Sequence, residues 1–163
     1  MSERLSSFPP VADSSSRVLI LGTMPGAESL RKQQYYGYPH NCFWKLLCTI
    51  LGERCDASYE ARTAMLLKHR IALWDVLDSC TRKGSLDTHI KGEKPNDLSA
   101  FLNEHPGIES VFFNGQKASQ MFKRYFPDAA AAYKCVILPS TSPANTIPFE
   151  KKLEEWRRIG ECL

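Results

Sequence analysis

Residues Arg17–Trp44, RVLILGTMPGAESLRKQQYYGYPHNCFW, decide how the rest of the chain is read. Val18-Leu19-Ile20-Leu21 is a short, continuous apolar run, the pattern of a fully buried strand. A tight loop, Gly22-Thr23-Met24-Pro25-Gly26, follows at once. Paired tyrosines come next, Tyr35 and Tyr36, and then a polar elbow that ends in Asn41 before the apolar start of a helix. Open α/β sheets place their ligands outside the carboxyl ends of parallel strands. A loop of this kind brings backbone N–H groups close to a ligand, and a tyrosine offers a flat face for stacking. The stretch therefore predicts a pocket for a flat, polar ligand.

Working outward, three more runs read as strands: Ile71–Asp75, Ser110–Asn114 and Cys135–Leu138. Apolar residues recur at helical spacing over Phe43–Leu51, where Gly52 stops the helix, and again over Tyr59–His69. Asp97 caps a short helix through Glu104. Asn114-Gly115 turns into a helix over Gln116–Tyr125, and Phe149–Cys162 is the last helix. Strands alternating with helices imply an α/β fold, a central four-stranded parallel sheet covered by helices on both faces. Its site is expected in the loops that begin near Gly22, Asp75, Asn114 and Pro139. The segment from Val76 to Asp97 is polar and holds Gly84, Gly92 and Pro95, so it reads as a long functional or mobile loop. Residues 1–16 are rich in Ser and Pro and read as a flexible N-terminal arm, although Phe8-Pro9-Pro10-Val11 has the composition to pack against the body. Residues 17–163 are expected to form a single domain. No internal repeat is visible.

At 163 residues, 43% hydrophobic and 24% charged, the composition is that of an ordinary globular protein. No apolar run approaches the ~20 residues needed to span a bilayer, and no apolar secretory h-region opens the chain. The six cysteines are scattered without a CxxC pair. They are expected to be reduced, largely buried thiols of a cytoplasmic protein rather than a disulfide framework or a cluster site. The net charge of +3 permits contact with a polyanion without arguing for it.

Each candidate residue carries a plain structural reading beside a functional one. The Gly22–Gly26 loop lacks both the dinucleotide fingerprint and the Gly-Lys-Ser/Thr of a phosphate loop, and it is either a tight turn or a ligand cradle. Asn41 is a good helix N-cap, and its amide is equally suited to orienting a water. Asp75 and Asn114 end strands, where they either bond a ligand or hold a turn. Ser140 and Ser142 raise the alternative of serine hydrolysis, but there is no GxSxG elbow and no histidine at an identifying spacing. No HxxxH or histidine–carboxylate cluster suggests a metal. A pocket without an obvious acid–base pair favours a reaction whose leaving group departs largely by itself.

GTMPG followed by QQYYGYPHNCFW, with LPSTSPAN some hundred residues later, resembles the uracil-DNA glycosylase superfamily, and more closely its hypoxanthine-DNA (deoxyinosine) glycosylase branch. The likeness runs from Val18 to the C-terminus. It implies a three-layer α/β/α sandwich around the four-stranded parallel sheet, and a base-excision repair enzyme that flips out a deaminated base and hydrolyses its glycosidic bond. Hypoxanthine is the implied base, with uracil and xanthine as alternatives. Mismatch-specific relatives carry an asparagine, which positions the attacking water, where Met24 stands here. The resemblance therefore moves that task to Asn41 and makes Asn41 the implied catalytic residue.

The same resemblance implies a base pocket of Gly22, Thr23, Met24, Pro25, Gly26, Tyr36, Phe43, Asp75 and Asn114, with Tyr36 stacking on the base. It implies that Ser140, Thr141, Ser142, Pro143, Ala144 and Asn145 contact DNA, although the family's bulky wedge is absent there. Arg31, Lys32, Arg82, Lys83 and Lys117 are candidates for neutralising phosphates. DNA carrying deaminated bases is the implied partner, with downstream repair enzymes after it. A monomer, no cofactor and no membrane association are expected. The competing class is a non-catalytic nucleotide or nucleic-acid binding module on the same fold.

Overall fold

The computed structural model describes residues 3–55 and 58–163. In chain order the elements are β1 (Arg4–Ser6), β2 (Val18–Gly22), α1 (Ala27–Lys32), α2 (Phe43–Leu51), α3 (Tyr59–Lys68), β3 (Ile71–Asp75), β4 (Leu77–Arg82), β5 (Ile90–Pro95), α4 (Leu98–Glu104), β6 (Ser110–Asn114), α5 (Gln116–Tyr125), α6 (Pro127–Ala132), β7 (Lys134–Leu138) and α7 (Phe149–Trp156). A 3-10 turn, Asp87–His89, links β4 to β5, and another continues α7 through Cys162.

The main sheet has the order β3-β2-β6-β7, and each neighbouring pair is parallel. Alternate residues of a strand point to opposite faces, and the two cores obey that rule. Val18, Ile20, Ile71, Leu73 and Phe112 face one side, where α2, α3 and α7 cover them with Phe43, Leu47, Leu66 and Trp156. Leu19, Leu21, Ala72, Val111 and Phe113 face the other, under Phe101 of α4 and Met121 and Phe122 of α5. The result is the expected α/β/α sandwich. Its parallel order brings the ends of all four strands to one edge, where Gly22, Asp75 and Asn114 stand level with Leu138.

Three expectations need correction. The polar segment after Asp75 is an antiparallel hairpin, β4 against β5. Leu77, Ser79, Cys80 and Arg82 are buried and Asp78 is exposed, so one side of the ribbon is covered although its residues are largely polar. The N-terminal arm is the hairpin's third strand: β1 pairs antiparallel with β4. Beyond it Phe8 is buried in the core, its carbonyl accepts a bond from Trp74 Nε1 at 2.9 Å, and Pro9 O accepts one from Tyr35 Oη at 2.8 Å. Val11 exchanges two backbone bonds with Leu73, which covers the outer edge of β3. Third, Cys48 and Cys55 form a disulfide, with Cα atoms 5.6 Å apart. Gly52, at φ +66°, ends α2 in the left-handed conformation that sends Cys55 back against it. Cys42, Cys80, Cys135 and Cys162 are free thiols. Among the described residues, no helix is long and apolar enough to cross a membrane.

Because Phe8 lies in the core and meets Tyr35 edge to face at 5.1 Å, Phe8→Ala should destabilise the protein by about 3 kcal/mol. Chemical denaturation measures this. A loss under 0.5 kcal/mol would mean the segment is a loose arm after all.

Candidate active site

Strand β2 ends in Gly22, which lacks a side chain for a specific reason. A Cβ at this position would lie 2.5 Å from Asp75 Oδ1 and 2.8 Å from Tyr36 Oη. Those two oxygens come over the strand end from β3 and from the loop after α1. They mark the inner wall of a cavity of about 700 Å³ at the carboxyl edge of the sheet. The Gly22–Gly26 loop lines one side of it, and Asn114 with Ser140–Asn145 lines the other.

Tyr35 belongs to the core while also bordering the cavity, and Trp44 Nε1 bonds to its carbonyl at 2.8 Å. Tyr36 lines the cavity with its ring stacked on Phe43, centroids 4.0 Å apart and planes at 23°. Its φ of +52° is uncommon for a residue with a side chain, and such strain gathers at functional sites. Phe43 is itself fully buried and does not line the cavity. Its expected contact with a base becomes support for Tyr36 from beneath.

Asn41 lines the cavity, and its Oδ1 accepts the backbone N–H of Phe43 at 3.0 Å. Cys42 is the N-cap of α2, so Asn41 stands one residue before it, and one lone pair of its amide anchors the start of the helix. Met24 lines the cavity too, but it is buried among the Leu19–Leu21–Phe113 core residues. Its thioether fills apolar space there.

The loop from Ser140 to Asn145 is held at many points. Asn114 clasps Thr141 twice, Nδ2 donating to Thr141 Oγ1 and Oδ1 accepting from Thr141 N, both at 2.9 Å. Cys42 N donates to Thr141 O at 3.2 Å, which ties the loop to the turn that carries Asn41. Trp156 Nε1 bonds Pro139 O at 2.8 Å, and the buried Lys152 bonds Ser142 O at 3.2 Å. Thr141 is buried, so its expected DNA contact becomes an internal one, while Pro143 and Ala144 are exposed at the tip. The Oγ atoms of Ser140 and Ser142 accept backbone N–H groups of their own loop.

Asp75 is 4% exposed, and its Oδ2 has no hydrogen-bond partner among the described residues. The Oη of Tyr36 is in the same condition. Burial raises the Asp75 carboxyl to about 7, the nearby Asp87 adds to the rise, and Arg82 opposes it. Asp87 comes from the hairpin, as do Ser85 and Leu86, which also line the cavity. These residues were missed because the polar hairpin reads as a loop. Arg82 is buried, with Nε donating to Gly84 O at 2.9 Å and one terminal nitrogen to Pro25 O at 2.5 Å. It braces the hairpin against the Gly22–Gly26 loop and is not a surface phosphate contact. Ser85 Oγ accepts Ala27 N at 2.9 Å and completes the brace. Arg31 is exposed and paired with Glu28.

The raised Asp75 fixes the sign of a pH dependence. Between its ordinary 3.8 and about 7 the folded protein keeps a proton that the unfolded chain has lost. Stability should therefore fall as pH rises through that window, by up to about 4 kcal/mol. Asp75→Asn removes the effect, so the variant should melt above the wild type at pH 8, with the gap closing toward pH 4. Parallel curves of melting temperature against pH would show that Asp75 titrates as an ordinary carboxylate.

The family model for the uracil DNA glycosylase superfamily matches residues 9–161. A hypoxanthine DNA glycosylase of Methanosarcina barkeri is 40% identical over 151 residues, covering 91% of this chain and 93% of its own. One from Methanosarcina acetivorans is 40% identical over 154 residues, covering 93% and 95%. A solution NMR structure from Methanosarcina acetivorans, provisionally described as a uracil DNA glycosylase, superposes with a TM-score of 0.84 at 37% identity over 96% of both chains.

Proposed function

The chain belongs to the uracil DNA glycosylase superfamily, in its hypoxanthine-DNA glycosylase branch, and from that premise we propose that it excises hypoxanthine from DNA with a water held by Asn41. It is a DNA glycosylase. The observation that carries the finer reading is the meeting of Tyr36, Asn41, the Gly22–Gly26 loop and the Ser140–Asn145 loop around one cavity.

The chemistry needs the target nucleotide out of the stack, at a cost of a few kcal/mol that is smallest for damaged or mispaired bases. Stacking on Tyr36, already backed by Phe43, returns ~1–3 kcal/mol of it. The exposed tip at Pro143 and Ala144 is the part of the second loop free to approach the groove. Bond cleavage at C1′ builds negative charge on the purine, and backbone N–H groups of the Gly22–Gly26 loop supply fixed dipoles near it. Asn41 keeps acceptor and donor capacity beyond its bond to Phe43 N, which is what holding a water against C1′ requires. Uracil and xanthine are the other bases to be tried.

The direct test is a duplex carrying one deoxyinosine, incubated in EDTA and assayed for free hypoxanthine and for alkali-labile abasic sites. Excision is expected. Tight binding without base release would identify a non-catalytic binding module, and no abasic sites on deoxyinosine, deoxyuridine or deoxyxanthosine substrates would remove the reading altogether.

Asn41→Ala should lower the single-turnover rate ~10²-fold or more, about 2.7 kcal/mol of barrier. It should also lower stability by ~1 kcal/mol through the lost bond to Phe43 N. Rate and melting temperature measured together decide the matter: a lowered melting temperature with an intact rate places the water elsewhere. Met24→Asn, which restores the asparagine of the mismatch-specific relatives, buries an amide among apolar side chains and should lower stability. DNA binding should weaken with salt, with a log–log slope of about −0.9 for each phosphate neutralised. Lys83 is exposed on the hairpin, and Lys83→Ala should reduce that slope; a slope near zero in the wild type would argue against DNA as the ligand.

A further inference from the structure

We propose that Asp75 is the general acid of the reaction: its carboxyl delivers a proton to the purine ring as the glycosidic bond breaks. The inference rests on the glycosylase reading of the cavity and deepens it. Its first support is geometric. Asp75 closes β3 at the inner wall of the cavity, where the bare Gly22 lets its carboxyl and the Tyr36 hydroxyl come together over the end of β2. Both Asp75 Oδ2 and Tyr36 Oη are buried without a partner. Buried polar atoms are rarely left so, and those that are call for an explanation; both side chains belong to residues that line the cavity, which puts this unspent bonding capacity at its inner wall.

The surroundings decide the protonation state. Tyr35 and Tyr36 face Asp75 from the loop after α1, Tyr59 from α3, Asp87 from the hairpin turn and Arg82 from β4; Gly22 and Asn114, the latter beside the Tyr36 hydroxyl, bring no charge. Burial and the Asp87 carboxylate hold the proton on Asp75, and Arg82 acts against them without bonding to it, because the Arg82 hydrogen bonds go to Gly84 O and Pro25 O. Burial keeps the Tyr36 hydroxyl protonated, a donor only for hydrogen bonding. The carboxyl therefore titrates near the pH at which a general acid is most useful.

The step balances. The C1′–N9 bond breaks and its electron pair passes into the purine. The proton on Asp75 moves to N7, so the base leaves as neutral hypoxanthine. The water held by Asn41 forms the C1′–O bond and gives up a proton to solvent, and Asp75 regains one from solvent before the next turnover.

The experiment is the single-turnover excision rate of deoxyinosine DNA from pH 5.5 to 9, for the wild type, Asp75→Asn and Asp87→Asn, with melting temperatures of all three. The wild-type rate should be level at low pH and fall tenfold per pH unit above a break near 7. Asp75→Asn should be slower by ~10²-fold at pH 6 and should lose the break. In Asp87→Asn, with the like charge gone, the break should move to lower pH. A wild-type rate that stays level from pH 6 to 8.5 overturns the acid whatever the variants do. So does an Asp75→Asn protein that keeps the wild-type rate, or one that keeps the falling limb, which then belongs to another group. No excision by the wild type at any pH takes down the glycosylase reading as well, whereas a level profile in an active enzyme takes down the acid alone.

Discussion

The approach of Asp75 and Tyr36 to the backbone at Gly22 is the contact around which the site is arranged. Strand β2 lies between β3 and β6, so its end cannot move without moving the sheet. The three carboxyl-edge residues reach that end in register: Gly22 is level with Asp75, and Asn114 closes the neighbouring strand. A methyl group at position 22 would meet a carboxyl oxygen at 2.5 Å and a phenol oxygen at 2.8 Å. Neither is the end of a long flexible chain, so the cost would fall on β3 or on the strained Tyr36 backbone.

Rigid elements carry the rest of the site, and polar bonds fasten the loops to them, with Met24 anchoring the first loop by apolar packing as well. The Gly22–Gly26 loop is braced by Arg82 and Ser85 from the hairpin. The Ser140–Asn145 loop is clasped by Asn114, Trp156 and Lys152, and through Thr141 it is tied to the turn bearing Asn41. Each buried donor and acceptor in these clasps would be costly to leave unpaired, so each loop has one low-energy position. Sites held this way lose little freedom when a ligand arrives. The exceptions are informative. Asp75 Oδ2 and Tyr36 Oη remain unpaired, as do Thr23 Oγ1 in the first loop and one terminal nitrogen of Arg82 in its brace, and Asp75, Tyr36 and Thr23 all line the cavity.

Much of this was legible in the sequence. Strands β2, β3 and β6 are short apolar runs buried on both sides, the edge strand β7 keeps an apolar run although Ile137 is exposed, and Gly52, Asp97 and Gly115 end or begin helices where their chemistry requires. The loop pair carried the family. The hairpin was not legible, because β4 buries Ser79 and Arg82 where an apolar residue would have given the alternation away. Its third strand lies more than seventy residues away in the Ser-Pro-rich N-terminus, and pairing over that distance leaves no local trace. The Cys48–Cys55 bridge was equally hidden, since scattered cysteines do not show which of them a left-handed turn brings together. Phe43 and Thr141 are both buried, which motif position could not tell: it does not say which side chain touches a ligand and which supports its neighbour.

The same blindness to depth explains why the sequence seemed to lack an acid. Asp75 next to a hydrophobic run is an ordinary residue until it is known to be buried, near Asp87, and without a partner for one oxygen. Spacing cannot reveal this, because the second carboxylate arrives from the tip of the hairpin that was read as a loop. Burial does the chemical work here. An exposed aspartate at pH 7 is an acceptor and nothing else, whereas one kept neutral by its surroundings can donate. The stability lost when that carboxyl ionises is the other side of the same fact. A folded state that holds a proton at neutral pH does so because the charged form is poorly solvated, and the same poor solvation drives the proton toward a purine that is gaining charge.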